Sequence, residues 1–111
     1  EIMPVESERY PDPFDADAIV ASCRTAVEIG AHAVKTSFPG DPSAVAGAVE
    51  CGKPVLFAGG AFTKDRQGLL ATVADAMRHG AAGVAFGRNV WGAADPGVVV
   101  AELREIVHAA S

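Results

Sequence analysis

Residues 54–91 read PVLFAGGAFTKDRQGLLATVADAMRHGAAGVAFGRNVW. The stretch begins with a short apolar strand, residues 54–58, and a second strand of the same kind follows at residues 83–86. Between them, apolar side chains recur at helical spacing from Leu69 to Met77. A strand, an amphipathic helix and another strand in this order predict two parallel strands joined by a right-handed crossover.

The same alternation extends towards both ends of the chain. Further strands are predicted at residues 2–6 and 31–36, and Asp41-Pro42 and Asp95-Pro96 each indicate a helix start, with an N-capping aspartate before proline. With an amphipathic helix over residues 16–27, the predicted order is βαβαβαβα. Four such units fit either an open doubly wound sheet or half of an eightfold β/α barrel, and length alone does not distinguish them.

Composition excludes several classes of function. The chain has 111 residues, half of them apolar, which is enough for the core of one small domain. A net charge of -5 and a pI near 5.0 argue against a nucleic-acid partner. No apolar stretch approaches the roughly 20 residues of a membrane span, so no membrane association is expected. Cys23 and Cys51 lack metal-binding spacing, and the three histidines are scattered, so we expect no metal, reduced thiols and a cytoplasmic location.

Polar and glycine residues follow the predicted strands, which is where α/β enzymes place their sites. Lys35 lies near the end of the strand 31–36, on the face opposite His32 and Val34. If that face is a barrel interior, burial disfavours the ammonium and leaves an amine able to attack a carbonyl. The alternative is a lysine that extends to solvent from a strand end.

Two further strand ends resemble anion-binding turns. Gly59-Gly60 and Gly87-Arg88 allow backbone N–H groups to approach a phosphate, and the Arg88 guanidinium adds positive charge. The alternatives are ordinary turn chemistry for the glycines, and an exposed Arg88 beside a core-packed Trp91.

Tyr10 and Glu6 flank the end of the first predicted strand. Either side chain is a candidate for moving protons, and Glu6 is also a candidate ion-pair partner for Lys35. A loop tyrosine such as Tyr10 is otherwise often only packed.

Three blocks of sequence, residues 30–42, 54–60 and 80–91, resemble in order and spacing the archaeal-type (DhnA-type) class I fructose-bisphosphate aldolases. The resemblance covers nearly the whole chain and implies a (β/α)8 barrel, of which these residues are about the C-terminal half. It implies that Lys35 is the Schiff-base lysine on the sixth strand. It also implies that Gly59, Gly60, Gly87 and Arg88 hold the substrate phosphate, and that Tyr10 handles a proton.

The same resemblance implies a lyase of carbohydrate metabolism, in glycolysis or gluconeogenesis, that needs no cofactor. The expected substrate is a phosphorylated ketose such as fructose 1,6-bisphosphate. The chain opens within a predicted strand at Glu1 and no initiator Met precedes it, so we expect a piece of a longer protein. Its expected partners are further copies of itself or the missing N-terminal half-barrel. Related heptulosonate-type synthases and autoinducer-processing thiolases share the lysine strand, and a non-catalytic phosphosugar-binding half-barrel is a further alternative.

Overall fold

A computed structural model of the protein describes residues 1–109. Three parallel strands form one sheet in the order β1-β2-β3: β1 is Val34–Ser37, β2 is Val55–Ala58 and β3 is Gly83–Ala85. The helices are α1 (Ala16–Glu28), α2 (Val45–Val49, preceded by a 3-10 turn at Pro42–Ala44), α3 (Arg66–Arg78), α4 (Arg88–Trp91) and α5 (Pro96–Ala109). The predicted parallel β/α alternation is therefore confirmed from β1 onwards.

Aspartates begin the longer helices. The Asp15 carboxylate accepts hydrogen bonds from Asp17 N and Ala18 N at the start of α1. Asp65 accepts one from Gly68 N at 2.9 Å at the start of α3. These bonds satisfy backbone donors that the first helical turn leaves without a partner.

The strand predicted at residues 2–6 is wrong. Residues 1–15 contain no strand, and a single backbone bond, from Ile2 N to Lys35 O at 2.9 Å, joins the segment to β1. Pro4 has no N–H to donate, so the ladder cannot continue past it in regular alternation.

β1 also begins three residues later than the sequence pattern indicates. Gly30, at φ 103°, ends α1 in the left-handed region, and Ala31 N donates back to Ala26 O at 3.0 Å. This helix-terminating turn includes Ala31, and the chain bends at residues 32–33, so the first three residues that the pattern assigned to the strand lie outside it.

The core lies on the helix-covered face of the sheet. Val34, Val55 and Phe57 are at most 2% exposed and pack with residues of α1 and α2 such as Ile19 and Val45. A second cluster joins α3 to α5. Within residues 1–109, no helix is both long and apolar enough to cross a membrane.

Candidate active site

The carboxyl ends of β1 and β2, together with Arg88 from the turn after β3, line a cavity of about 340 Å³. Its lining includes the loop glycines Gly59 and Gly60, the Arg88 side chain and the strand ends Ser37 and Ala58; Met3, Phe14 and Phe38 complete it. Arg88 is the one charged residue of this lining. The structure thus brings together three of the residues predicted to bind phosphate, around a single positive charge.

Gly87 lies beside this cavity as the N-terminal cap of α4, and its carbonyl accepts from Val90 N at 2.8 Å. A Cβ at Gly87 would approach Cζ3 of Trp91 to 2.7 Å, and a Cβ at Gly59 would approach the Phe86 ring to 2.6 Å. Both glycines therefore allow an aromatic ring to pack against the backbone. The alternative of an exposed Arg88 beside a core-packed Trp91 is wrong for Trp91, which is 72% exposed, but Arg88 is exposed as that alternative expected.

Lys35 occupies the middle of β1, on the less buried face of the sheet. The register pairs it with Leu56, which in turn pairs with Gly83, and one step further Ser37 pairs with Ala58. Because side chains alternate along a strand, Lys35 and Ser37 share a face and lie about 6.6 Å apart along it. Lys35 is thus one step below the cavity that Ser37 lines.

The next row of strand residues above Lys35 on this face carries small side chains, two of which line the cavity. Ser37, Ala58 and Ala85 are in register across the three strands. These three side chains are small, and Ser37 Oγ donates to Met3 Sδ at 3.1 Å, so Met3 also contributes to the cavity wall above Lys35.

The Lys35 ammonium forms an ion pair with Glu1, with Nζ 2.6 Å from Oε2. The hydrogen bond from Lys35, followed by its charge, lowers the pKa of the Glu1 carboxyl. The partner is thus Glu1, and the alternative pairing with Glu6 is not formed. The Lys35 side chain is 42% exposed, because this sheet face is open within residues 1–109, so the expected desolvated neighbourhood is absent here.

Tyr10 does not line the cavity that contains Arg88. It belongs to a local turn in which Ser7 N donates to Tyr10 O and Tyr10 N donates to Ser7 Oγ, and the Arg9 guanidinium lies 5.6 Å from its ring centroid. The loop is polar and is held mainly by such short-range bonds, so nothing in it directs the phenol towards Lys35. Glu6 is exposed.

Asn89 is a residue of this region to which the sequence reasoning assigned no role. It is only 4% exposed, and its side chain bonds to backbone atoms of the loop after β2 at Gly59, Ala61 and Thr63. The available signal was a polar residue directly after Gly87-Arg88, at the start of a helical turn.

Both cysteines are free thiols, Cys23 buried and Cys51 partly buried. Among the described residues, no group of three or more His, Cys, Asp or Glu side chains is arranged to hold a metal ion.

Comparison with known proteins identifies a family and several relatives of this chain. A family profile described as DeoC/LacD family aldolase matches residues 2–93, so the chain belongs to this aldolase family. A Streptomyces griseus protein named 2-amino-4,5-dihydroxy-6-oxo-7-(phosphonooxy)heptanoate synthase is 38% identical over 96% of this chain and 41% of its own length. A Thermoproteus tenax protein named fructose-bisphosphate aldolase class 1 is 42% identical over 84% of this chain and 36% of its own.

Solved structures that resemble this chain are also aldolases. An archaeal fructose 1,6-bisphosphate aldolase superposes with a TM-score of 0.83 at 34% identity, covering 88% of this chain and 40% of that one. A second, described as having its catalytic Lys covalently bound to the carbinolamine intermediate of the substrate, gives a TM-score of 0.82 at 33% identity over 87% and 39%. The chain spans about two fifths of these relatives, and its parallel strands and helices form about half of a (β/α)8 barrel. The resemblance to archaeal class I aldolases is confirmed.

Proposed function

We propose that Lys35 is the Schiff-base lysine of a class I aldolase and that Gly59, Gly60, Gly87 and Arg88 bind the phosphate of a phosphorylated ketose. The observation that supports this proposal is the placement of Lys35 one step below the Arg88 cavity on the same sheet face. In this proposal residues 1–111 form the C-terminal half of the barrel domain of a cytoplasmic enzyme. Fructose 1,6-bisphosphate is the proposed substrate.

The chemistry requires a neutral amine. Lys35 Nζ adds to the ketone carbonyl to give a carbinolamine, and loss of water leaves an iminium that acts as an electron sink. A base removes the hydroxyl proton across the bond to be cleaved, that carbon–carbon bond breaks, and an aldehyde leaves. The resulting enamine takes up a proton on carbon, and water hydrolyses the iminium to release the ketone product and free Lys35.

The Glu1 carboxylate has a direct bearing on the first step. While its Oε2 holds Nζ at 2.6 Å, the amine is engaged as an ammonium donor. The ion pair must open and a proton must leave before Nζ can attack. Tyr10 is the proposed proton-transfer group, which requires the loop of residues 7–14 to bring its phenol towards the iminium.

Phosphate binding at Arg88 would supply the energy that positions the carbonyl over Lys35. A guanidinium and backbone N–H groups suit a phosphate dianion. Correct placement of a reacting carbonyl is worth several kcal/mol of barrier. The placement of Lys35 one step below Ser37, which lines the Arg88 cavity, fits a substrate that spans both.

Borohydride trapping tests the proposal in the protein that carries this chain. We expect fructose 1,6-bisphosphate plus sodium borohydride to leave a stable adduct on the peptide containing Lys35, detected by mass spectrometry. Lys35→Met should lower both adduct and aldol cleavage to background, because only an amine forms the iminium. Lys53→Met is the matched control, since Lys53 is exposed just before β2, at the opposite end of the strands. Full cleavage activity in Lys35→Met would show the proposal to be wrong.

A related synthase reaction is the second candidate, supported by the identity to the Streptomyces griseus protein over 96% of this chain. Both reactions would leave an adduct on Lys35, so trapping alone does not separate them. Rates of carbon–carbon bond cleavage and formation over a panel of phosphorylated ketoses and aldehydes distinguish the two. A non-catalytic phosphosugar-binding module would leave no adduct.

A further inference from the structure

Two polar side chains among the described residues are almost fully buried, and they differ in their hydrogen bonding. Thr36 is 0% exposed and its hydroxyl has no hydrogen-bond partner. Asn89, at 4% exposed, makes three contacts. Its Oδ1 accepts from Thr63 N at 2.9 Å, and its Nδ2 donates to Ala61 O at 3.1 Å and towards Gly59 O at 3.4 Å.

These contacts tie together two segments that are 26 to 30 residues apart in sequence. One is the loop after β2, which has no regular structure between Gly59 and Lys64. The other is the α4 turn, where Arg88 immediately precedes Asn89. The Asn89 side chain is therefore one of the contacts that hold the loop after β2 against the α4 turn that carries Arg88.

Asn89 does this from behind the cavity. It lines a separate space of about 280 Å³ together with Phe62 and Thr63, and it is absent from the lining of the cavity that contains Arg88. Any effect of Asn89 on that cavity would therefore pass through the loop that it binds.

The amide group is required by this pattern of partners. Two carbonyl oxygens need donors and one N–H needs an acceptor, and an asparagine side chain offers both. An aspartate of the same shape would keep the bond from Thr63 N but would place a carboxylate oxygen against the carbonyls of Gly59 and Ala61.

We propose that Asn89 is a positioning residue that holds the loop of residues 59–63 against α4, so that Gly59, Gly60 and Arg88 form one phosphate-binding site. This inference rests on the proposed function. The inference adds to the proposed function a residue that controls affinity for the phosphate group without touching the substrate.

The test compares Asn89→Asp and Asn89→Ala with the wild type in the whole protein, using three measurements. The first is the inhibition constant of inorganic phosphate against sugar-phosphate cleavage, and the second is KM and kcat for that cleavage. The third is borohydride trapping at Lys35 with dihydroxyacetone, which carries no phosphate. We expect the phosphate constant and KM to rise roughly tenfold, the effect of losing one to two hydrogen bonds of about 1 kcal/mol each, with kcat and trapping retained.

Thr63→Ala is the matched control. It removes the bond from Asp65 N to Thr63 Oγ1 in the same loop but keeps the Thr63 N–H that Asn89 binds, so the phosphate constant should stay within about twofold of wild type. Unchanged phosphate inhibition in both Asn89 variants, with normal trapping, would overturn the role of Asn89 alone. A parallel loss of trapping and phosphate binding in both variants would also overturn it, because Asn89 would then be needed for folding in general. Absence of an adduct on wild-type Lys35 with fructose 1,6-bisphosphate, the phosphorylated ketose, would instead overturn the proposed function.

Discussion

At the scale of the residue, the strand pattern around Lys35 is enough to predict the sheet face on which its side chain lies. Its neighbours Val34 and Thr36 are buried beneath helices, so alternation directs Lys35 to the opposite face. The strand pattern does not predict the ion pair between Lys35 and Glu1. These two residues are distant in sequence, and they meet only because the first segment bonds to β1 through Ile2.

Cys23 leads to a prediction on pH dependence. Its side chain is 0% exposed, and burial, with a smaller contribution from Cys51, raises the pKa of its thiol from 9.0 to about 11. Between these two values the folded protein keeps a proton that the unfolded chain loses. The contribution of the Cys23 thiol to the stability of the folded protein is therefore complete below pH 9 and is lost as pH rises towards 11.

We expect this titration to lower the free energy of unfolding by up to about 3 kcal/mol, from a shift of two units at 1.36 kcal/mol each. Urea unfolding at several pH values between 8 and about 10.5, in wild type and Cys23→Ala, measures it. The Cys23→Ala curve should decline less steeply, whereas Cys51→Ala, which removes only the smaller contribution to the Cys23 pKa, should stay close to the wild type. Parallel curves for wild type and Cys23→Ala would contradict the prediction.

At the scale of elements, the start of α4 offers a direct test of the proposed phosphate site. Gly87 has φ -112°, which any residue adopts, so a side chain there introduces no backbone strain and must only displace the exposed Trp91 ring. Gly87→Asp would place a carboxylate beside the Arg88 turn. Like charges roughly 6 Å apart repel by about 3 kcal/mol at an effective dielectric constant of 20.

We therefore expect Gly87→Asp to weaken inhibition by inorganic phosphate by at least roughly tenfold. Gly87→Asn has nearly the same shape without the charge and is the control, so the difference between the two variants isolates the electrostatic contribution. The difference should shrink with added salt. Equal inhibition constants for the two variants would place the anion away from this turn.

At the scale of the whole molecule, the half-barrel has an uncovered side. The less buried sheet face carries Lys35 and Leu56, and within residues 1–109 no strand pairs with the outer edge of β3. An apolar groove of about 410 Å³ runs along that edge between Leu56, Phe86 and Leu103. Unpaired edges and open apolar surfaces of this kind favour association.

We predict that residues 1–111 expressed alone self-associate and lack aldolase activity, as measured by sedimentation velocity and fructose 1,6-bisphosphate cleavage. Ala85→Lys, which adds a charge to the open face of the edge strand, should reduce the associated fraction. Ala101→Lys, at an exposed position of α5, is the control and should leave it unchanged. A stable monomer with full activity would contradict the prediction.

Local sequence patterns were sufficient to predict much of the secondary structure of this molecule. Strands β2 and β3, the helices between and after them, and the turns at Gly59 and Gly87 follow from period, capping residues and glycine placement, which act over a few neighbours. The local pattern left Lys35 open between a reactive amine and a lysine that extends to solvent, and it was the resemblance to the archaeal-type aldolases that favoured the reactive amine. To expect these strand ends close together, one must also know that the strands are parallel, because parallel strands bring their carboxyl ends to one edge of the sheet.

Other features arise only when distant segments meet. Residues 2–6 have the composition of a strand but form none, because pairing depends on backbone partners and Pro4 has no N–H to donate. The Glu1–Lys35 ion pair and the bonds of Asn89 to the loop 59–63 join residues 26 or more positions apart. No period or motif encodes such contacts, because they depend on how the sheet sets its loops side by side.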